Sequence, residues 1–185
     1  MKQTKLEDFF NIKYKNKKTN PTPTPNNTPT YGSFDNNNLI NKISTIQLND
    51  KLKKYVLRFD GASKGNPGKS GAGAVLYEND IEISCISEYL GIRTNNYAEC
   101  YAMILGIDEA FRIGIKNLEV EGDSMLIINQ LKGKWCVKNK DLKNLYSSIR
   151  NQLKSFNTIT YTHIYRDNNK RADELANIGV SKAKM

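Results

Sequence analysis

From Lys54 onward the apolar residues follow two periods in a fixed order, and that order leaves few folds open. In "KYVLRFDGAS", Tyr55, Leu57 and Phe59 alternate with Val56, Arg58 and Asp60, which is the period of a strand. "KGNPGKSGAG" is a turn-rich break. "AGAVLY" and "IEISCISEYL" read as two more strands joined by a turn at Glu78-Asn79-Asp80, so the first three strands form an antiparallel meander. After Thr94 the period lengthens: Cys100, Met103, Ile107 and Phe111 make an apolar stripe at steps of 3, 4 and 4. "IKNLEVEGD" reads as a fourth strand and "SMLIINQL" as a short helix behind it. Leu142, Leu145, Tyr146, Ile149 and Leu153 mark another amphipathic helix, with Asn139 as its N-cap. "TITYTHIY" is a fifth strand, and Ala172, Leu175, Ala176 and Gly179 give a last helix with one small-residue face. A strand–helix–strand unit pairs its strands in parallel through a right-handed crossover. The expected fold class is therefore α/β, a mixed five-stranded sheet with helices on both faces.

Composition changes near residue 50. Residues 11–50 are rich in Asn, Lys, Thr and Pro, including "TNPTPTPNNTPT" from Thr19 to Thr30. Such a stretch cannot bury enough apolar surface to offset its ordering entropy, so residues 13–52 read as a disordered basic linker before a domain of residues 53–185. The formal net charge of +9 divides into +4 for residues 1–52 and +5 for the remainder, so both parts are basic. A polyanionic partner such as nucleic acid or an anionic membrane fits that charge, and so does an ordinary lysine-rich soluble protein. Cys85, Cys100 and Cys136 are odd in number and lack metal-ligand spacing, which disfavours a disulfide framework and fits a reducing compartment. A zinc site or a Ser-His-Asp triad would have to be built around His163, the single histidine. No apolar run approaches the length of a membrane span, and the N-terminus has no apolar signal region, so the expectation is a protein neither secreted nor in a membrane.

Four acids stand where chemistry is expected. Asp60, in "FDGAS", ends the first strand, and Asp123, in "EGDS", ends the fourth. If those strands are parallel neighbours, both side chains sit at the carboxyl edge of the sheet, where open α/β sheets bind ligands. Glu99 lies in the first turns of the long helix and Asp173 opens the last one. Each has a plainer reading: Asp123 as a helix N-cap, Asp173 as a complement to the helix dipole, Asp60 as the start of a turn, Glu99 as a solvated side chain. Taken together, acids gathered at a sheet edge with no buried basic partner evident repel one another unless a divalent cation sits among them, and hard oxygen ligands suit magnesium or manganese.

"FDGASKGNPGKSGAGAV", "TNNYAE", "EGDSMLIINQL" and "NNKRADELAN" resemble the four signature blocks of the type 1 ribonuclease H family, in the family's order and spacing, across about residues 53–182. The resemblance implies a ribonuclease H-like sheet of strand order 3-2-1-4-5. It implies an endonuclease that hydrolyses the RNA strand of RNA–DNA hybrids, leaving 5′-phosphate and 3′-hydroxyl ends. Asp60, Glu99, Asp123 and Asp173 would be catalytic ligands of two Mg2+ ions, which Mn2+ can replace, about 4 Å apart in sites of this kind. Asp60 would bridge the pair, Asp173 would help hold the ion that activates water, and Glu99 and Asp123 the ion at the leaving oxygen. Gly61, Ala62, Ser63, Asn66, Asn95 and Asn96 would lie near the substrate, where short polar groups and open backbone can read the 2′-hydroxyls of a shallow minor groove. Without the family, "KGNPG" is only a loop and Asn95 only a helix cap. Trp135, in the basic "LKGKWCVKNK", would pack on the DNA strand while Lys132, Lys134, Lys138 and Lys140 meet phosphates, the alternative being a tryptophan partly in the core. This segment is shorter than the basic protrusion of some members. Many members also carry a mobile loop histidine before the last helix. Here His163 reads as part of the strand and "RDNNK" as a shortened loop, which looks more like the plant and archaeal branch that lacks that histidine.

At the N-terminus, "QTKLEDFF" matches the box by which proteins bind the PCNA-type sliding clamp, through Gln3, Leu6, Phe9 and Phe10 within residues 1–12. One helical turn puts Leu6, Phe9 and Phe10 on one face as apolar anchors. A chance amphipathic start would look alike. Lys13, Lys15, Lys17 and Lys18 could touch DNA threading the clamp or act as a weak nuclear signal. Residues 11–50 are too polar to fold into the separate hybrid-binding domain that some members carry, and the box would supply localisation instead. The resulting expectation is a monomer acting in the nucleus or another intracellular site of DNA replication. Two other readings stay open: a nuclease of the same fold acting on another structure, such as a DNA junction, and a non-catalytic hybrid-binding clamp adaptor. A peptide of residues 1–18 is expected to bind a PCNA-type clamp with micromolar affinity, about −8 kcal/mol. Joint Phe9→Ala and Phe10→Ala substitution should abolish that binding in calorimetric titration, and no detectable heat with the unsubstituted peptide at roughly 100 micromolar, well above that affinity, would refute the box.

Overall fold

The computed structural model describes residues 53–184; the linker and clamp-box assignments, with Gln3, Leu6, Phe9 and Phe10, lie outside the described residues. Strand β1 (Tyr55–Gly65) runs into β2 (Gly68–Glu78), and β2 into β3 (Ile81–Arg93). Asn79 and Asp80 both take positive φ, which suits a two-residue hairpin turn between twisted strands. Helix α1 (Asn95–Arg112) leads to β4 (Asn117–Gly122), then to α2 (Met125–Leu131), α3 (Lys140–Ser148) and the single turn α4 (Arg150–Leu153). Strand β5 (Thr158–His163) is followed by a 3-10 turn (Arg166–Asn168) and α5 (Lys170–Ser181). The sheet order is β3-β2-β1-β4-β5, antiparallel from β3 to β1 and parallel from β1 to β5. The mixed five-stranded sheet and its order agree with the sequence.

The pleat of β1 sorts its side chains between two layers. Leu57 and Phe59 are both fully buried, Leu57 against Gly106 of α1 and the Phe59 ring against Gly122 of β4. The opposite face of β2 carries α5, with Val75 packed against Ala172 and Leu175. Contact there is unusually close. A Cβ on Gly73 would come within 2.4 Å of the Ala176 nitrogen and the Ala172 oxygen, and one on Gly71 within 2.4 Å of Ala176 and Val180 backbone. Gly61 is equally tight against Ala98 and Glu99 of α1, at 2.1–2.7 Å. These glycines are how two helices come down onto the sheet near its active edge.

Several local expectations need correction. The supposed break at "KGNPGKSGAG" is a hairpin whose turn is only Asn66-Pro67, because the β1–β2 ladder continues through Gly61↔Ala72 to Gly65↔Gly68. Asp60 therefore lies inside β1 rather than at its end. Thr94, not Asn95, caps α1, its side chain accepting from the Tyr97 N–H. Asp123 is not a cap either: Ser124 caps α2. Phe111 is 41% exposed, and Ile104 joins Cys100, Met103 and Ile107 in the core instead. The helix expected over Leu142–Leu153 is interrupted at Ile149 (φ −96, ψ −1), whose side chain stays fully buried. Asn139 does cap α3, accepting from Asp141 and Leu142.

Gly73→Ala should cost about 1–3 kcal/mol, the range for overpacking a filled contact, because backbone on α5 cannot yield as a side-chain tip would. Urea unfolding measures this; an unchanged midpoint would mean that α5 is not seated on β2.

Candidate active site

The site begins where β1 and β4 part company. Their parallel pairing ends at Arg58↔Glu121, β1 continues beside β2 to Gly65, and β4 stops at Gly122. Two acids flank the gap. Asp60 is buried on β1 and accepts the Gly61 N–H at 2.8 Å; Asp123 follows the end of β4 and accepts the Asn169 side-chain amide at 2.9 Å. Glu99, in the second turn of α1, accepts from Asn95 (2.8 Å) and Ser124 (2.6 Å). Asp173, in the first turn of α5, pairs with Arg166 at 2.9 Å and accepts from Asn177 at 3.1 Å. All four carboxylates line one open cavity of about 550 Å³.

The candidate substrate residues divide. Gly61, Ala62, Ser63 and Asn95 line the same cavity. Asn66 does not line it, and its side-chain oxygen accepts the Asn95 backbone N–H at 3.1 Å. Asn96 and Trp135 do not line it; both are exposed, Trp135 by 50%, so the tryptophan is not core. Lys132, Lys134, Lys138 and Lys140 are exposed around Trp135. His163 closes β5 on the cavity wall, its Nε2 3.2 Å from the Asp123 carbonyl oxygen, a contact that needs the Nε2–H form. Sequence reasoning missed Ser124, Arg166, Asn169 and Asn177. Arg166 and Asn177 could have been found, one lying in the shortened loop and the other one helical turn after Asp173.

Burial and crowding set the electrostatics. Burial first, then the charge of Asp123, push the Asp60 carboxyl up to about 7; the Gly61 N–H opposes this, and Glu99 and Asp173 add to it. Burial likewise raises Glu99, against the hydrogen bonds from Ser124 and Asn95. The donor set is entirely oxygen and anionic, which is the chemistry of a hard divalent cation. Among the described residues no three His, Cys, Asp or Glu side chains already stand gathered as ligands of one ion. Hydrogen-bond donors hold carboxylate oxygens of Glu99, Asp123 and Asp173 in place, and the all-oxygen set fits Mg2+ or Mn2+ by chemistry.

The reverse transcriptase-like family model matches residues 58–179. Ribonuclease HI of Halobacterium salinarum is 39% identical over 142 residues, covering 76% of this chain and 71% of that protein. The chain belongs to the ribonuclease HI family. The crystal structure of the Halobacterium salinarum RNase H1 superposes with a TM-score of 0.66 at 36% identity, over 70% of this chain and 98% of that one. LC11-RNase H1, solved in complex with RNA/DNA hybrid, gives a TM-score of 0.67 at 34% identity, over 71% and 100%. A bifunctional protein of Mycobacterium tuberculosis is 37% identical over 132 residues, 70% of this chain, yet the match spans only 36% of that relative's length. Ribonuclease HI membership thus rests on the part of the chain that carries the sheet and the cavity.

For this ribonuclease HI chain in EDTA, the raised Asp60 carboxyl has a signed consequence. Between about pH 4, where an unfolded aspartate releases its proton, and about 7, the folded protein holds a proton that the unfolded chain has lost. Stability must then fall as pH rises through that window. Asp60→Asn should flatten the slope and leave the variant the more stable form at pH 8. Urea unfolding at pH 5 and pH 8 tests this, and an unchanged slope in the variant would refute the assignment.

Proposed function

We propose that this chain is an endoribonuclease that hydrolyses the RNA strand of RNA–DNA hybrids with two divalent ions, leaving 5′-phosphate and 3′-hydroxyl ends. The observation that carries this reading is the meeting of Asp60, Glu99, Asp123 and Asp173, from four separate elements, around one open polar cavity. These four side chains would hold the ions. The chemistry supplied there would be a lowered pKa for the attacking water and neutralisation of charge developing on the phosphate.

The chain's own contribution is placement. Burial of Asp60 and the donors on Glu99, Asp123 and Asp173 fix where negative charge sits before substrate arrives. Gly61, Ala62 and Ser63 present backbone and a short hydroxyl beside the acids, a surface suited to 2′-hydroxyls in a wide, shallow minor groove. Trp135 offers an aromatic face, with Lys132, Lys134, Lys138 and Lys140 nearby for phosphates. The hybrid-bound LC11-RNase H1 among the solved relatives supports hybrid as the substrate class. His163, held at a strand end, is not required to shuttle protons. The clamp box, the basic linker and the net charge support a monomeric enzyme recruited to a sliding clamp for primer removal or hybrid clearance, in the nucleus or another site of replication.

Purified full-length protein should cut the RNA strand of a hybrid in Mg2+ or Mn2+, and cut neither duplex DNA nor the hybrid in EDTA. Asp60→Asn should remove nearly all cleavage. His163→Ala should lower turnover less than about tenfold, below the usual contribution of a general acid or base. Cleavage that survives EDTA or Asp60→Asn would refute the carboxylate site, whereas a hundredfold loss in His163→Ala at unchanged stability would restore the histidine to the chemistry.

A further inference from the structure

Asn169 is 1% exposed, and of the buried polar residues described only Ser70 is more deeply buried. Its amide nitrogen makes two hydrogen bonds, 2.9 Å to the Phe59 carbonyl and 2.9 Å to the Asp123 carboxylate. Both acceptors are oxygen, so the amide's orientation is fixed: turned over, it would set oxygen against oxygen. The price of that orientation is visible, because the buried amide oxygen has no hydrogen-bond partner among the described residues. A fold that leaves one buried acceptor unpaired to keep two donors in place depends on the donors.

The position explains the dependence. Phe59 is the residue after the last β1–β4 pair and the residue before Asp60. One N–H of Asn169 therefore fixes the main chain that carries Asp60, and the other fixes the Asp123 side chain across the gap. The backbone of Asn169 accepts the Asp173 N–H at 3.1 Å, which sets Asp173 one turn further along α5. Three of the four acids are thus indexed to a single residue. A neutral amide does this without supplying a positive charge that would compete with a cation, whereas Lys or Arg in its place would neutralise Asp123.

We propose that Asn169 is the positioning residue of the carboxylate cluster: its two amide hydrogens tie Asp60's strand to Asp123 across the gap, so that the acids are ordered before a divalent cation binds. This rests on the active-site reading above, and Mn2+ binding tests the two separately. In full-length protein, Asn169→Ala should bind Mn2+ about 10- to 100-fold more weakly than wild type, the usual effect of losing a residue that orients a metal ligand. Asn169→Leu, which keeps the branched shape and removes both donors without adding charge, should lose at least as much. Ser87→Ala is the control, because it removes a different tether of α5, the 2.7 Å bond from Ser87 Oγ to the Leu175 carbonyl. It should lower the melting temperature and leave Mn2+ affinity within about twofold of wild type, far short of that 10- to 100-fold loss. Wild type that binds no Mn2+ overturns the cluster reading and the proposal with it. Wild type that binds, with Asn169→Ala and Asn169→Leu within twofold of it, overturns the proposal alone. Should those variants fail to fold, NMR of wild type decides: both Asn169 side-chain amide protons should exchange slowly with solvent and shift during Mg2+ titration with the midpoint of the Asp123 backbone signal. Fast exchange and no shift would overturn the assignment.

Discussion

Everything at the site depends on the parting of β1 from β4. While the two strands are paired, the peptide ladder fixes them about 4.8 Å apart and leaves no room for a ligand. After Arg58↔Glu121 they diverge, because β1 is still committed to a long antiparallel hairpin with β2 whereas β4 has ended. The opening faces Asp60 from one side and Asp123 from the other. Helices complete it: α1 delivers Glu99 by resting on Gly61, and α5 delivers Asp173 by resting on Gly71 and Gly73. Bringing like charges together is unfavourable, and packing of the helices against the sheet opposes it. The Asp60 carboxyl is raised by burial first and by the charge of Asp123 second.

The hydrogen-bond donors around the acids have a common character. Asn95, Ser124, Asn169 and Asn177 are neutral, and each occupies a carboxylate oxygen without cancelling its charge. Arg166 is the exception, a full positive charge on Asp173 and 80% exposed. A pair so open to water contributes little to stability and is readily broken. Neutral donors hold the buried part of the cluster and an exchangeable ion pair holds Asp173, an arrangement that suits the proposed cation site.

Much of this was legible in the sequence. Alternation in β1 and the apolar stripe of α1 report burial directly, so the order of elements followed, and parallel pairing of strands joined by a helix brought Asp60 and Asp123 to one edge. What escaped has physical reasons. The glycines of "KGNPGKSGAG" look like turn residues, yet Gly71 and Gly73 are in a strand because α5 lies too close for any Cβ. The apolar spacing of Leu142 to Leu153 runs straight through the break at Ile149, since Ile149 keeps its core position while its backbone leaves the helix. Asn169 and Asn168 are neighbours of one type, and composition cannot tell which of them is buried between two strands. Trp135 was balanced between core and surface, and only the three-dimensional structure shows it exposed.

The central claim is that these four carboxylates form one cation site. Anomalous diffraction from crystals of the full chain grown with Mn2+ tests it most directly. The account predicts anomalous density within the cavity, bonded to oxygens of Asp60, Glu99, Asp123 and Asp173. Crystals that hold Mn2+ elsewhere on the protein, with no density among those four side chains, would contradict it.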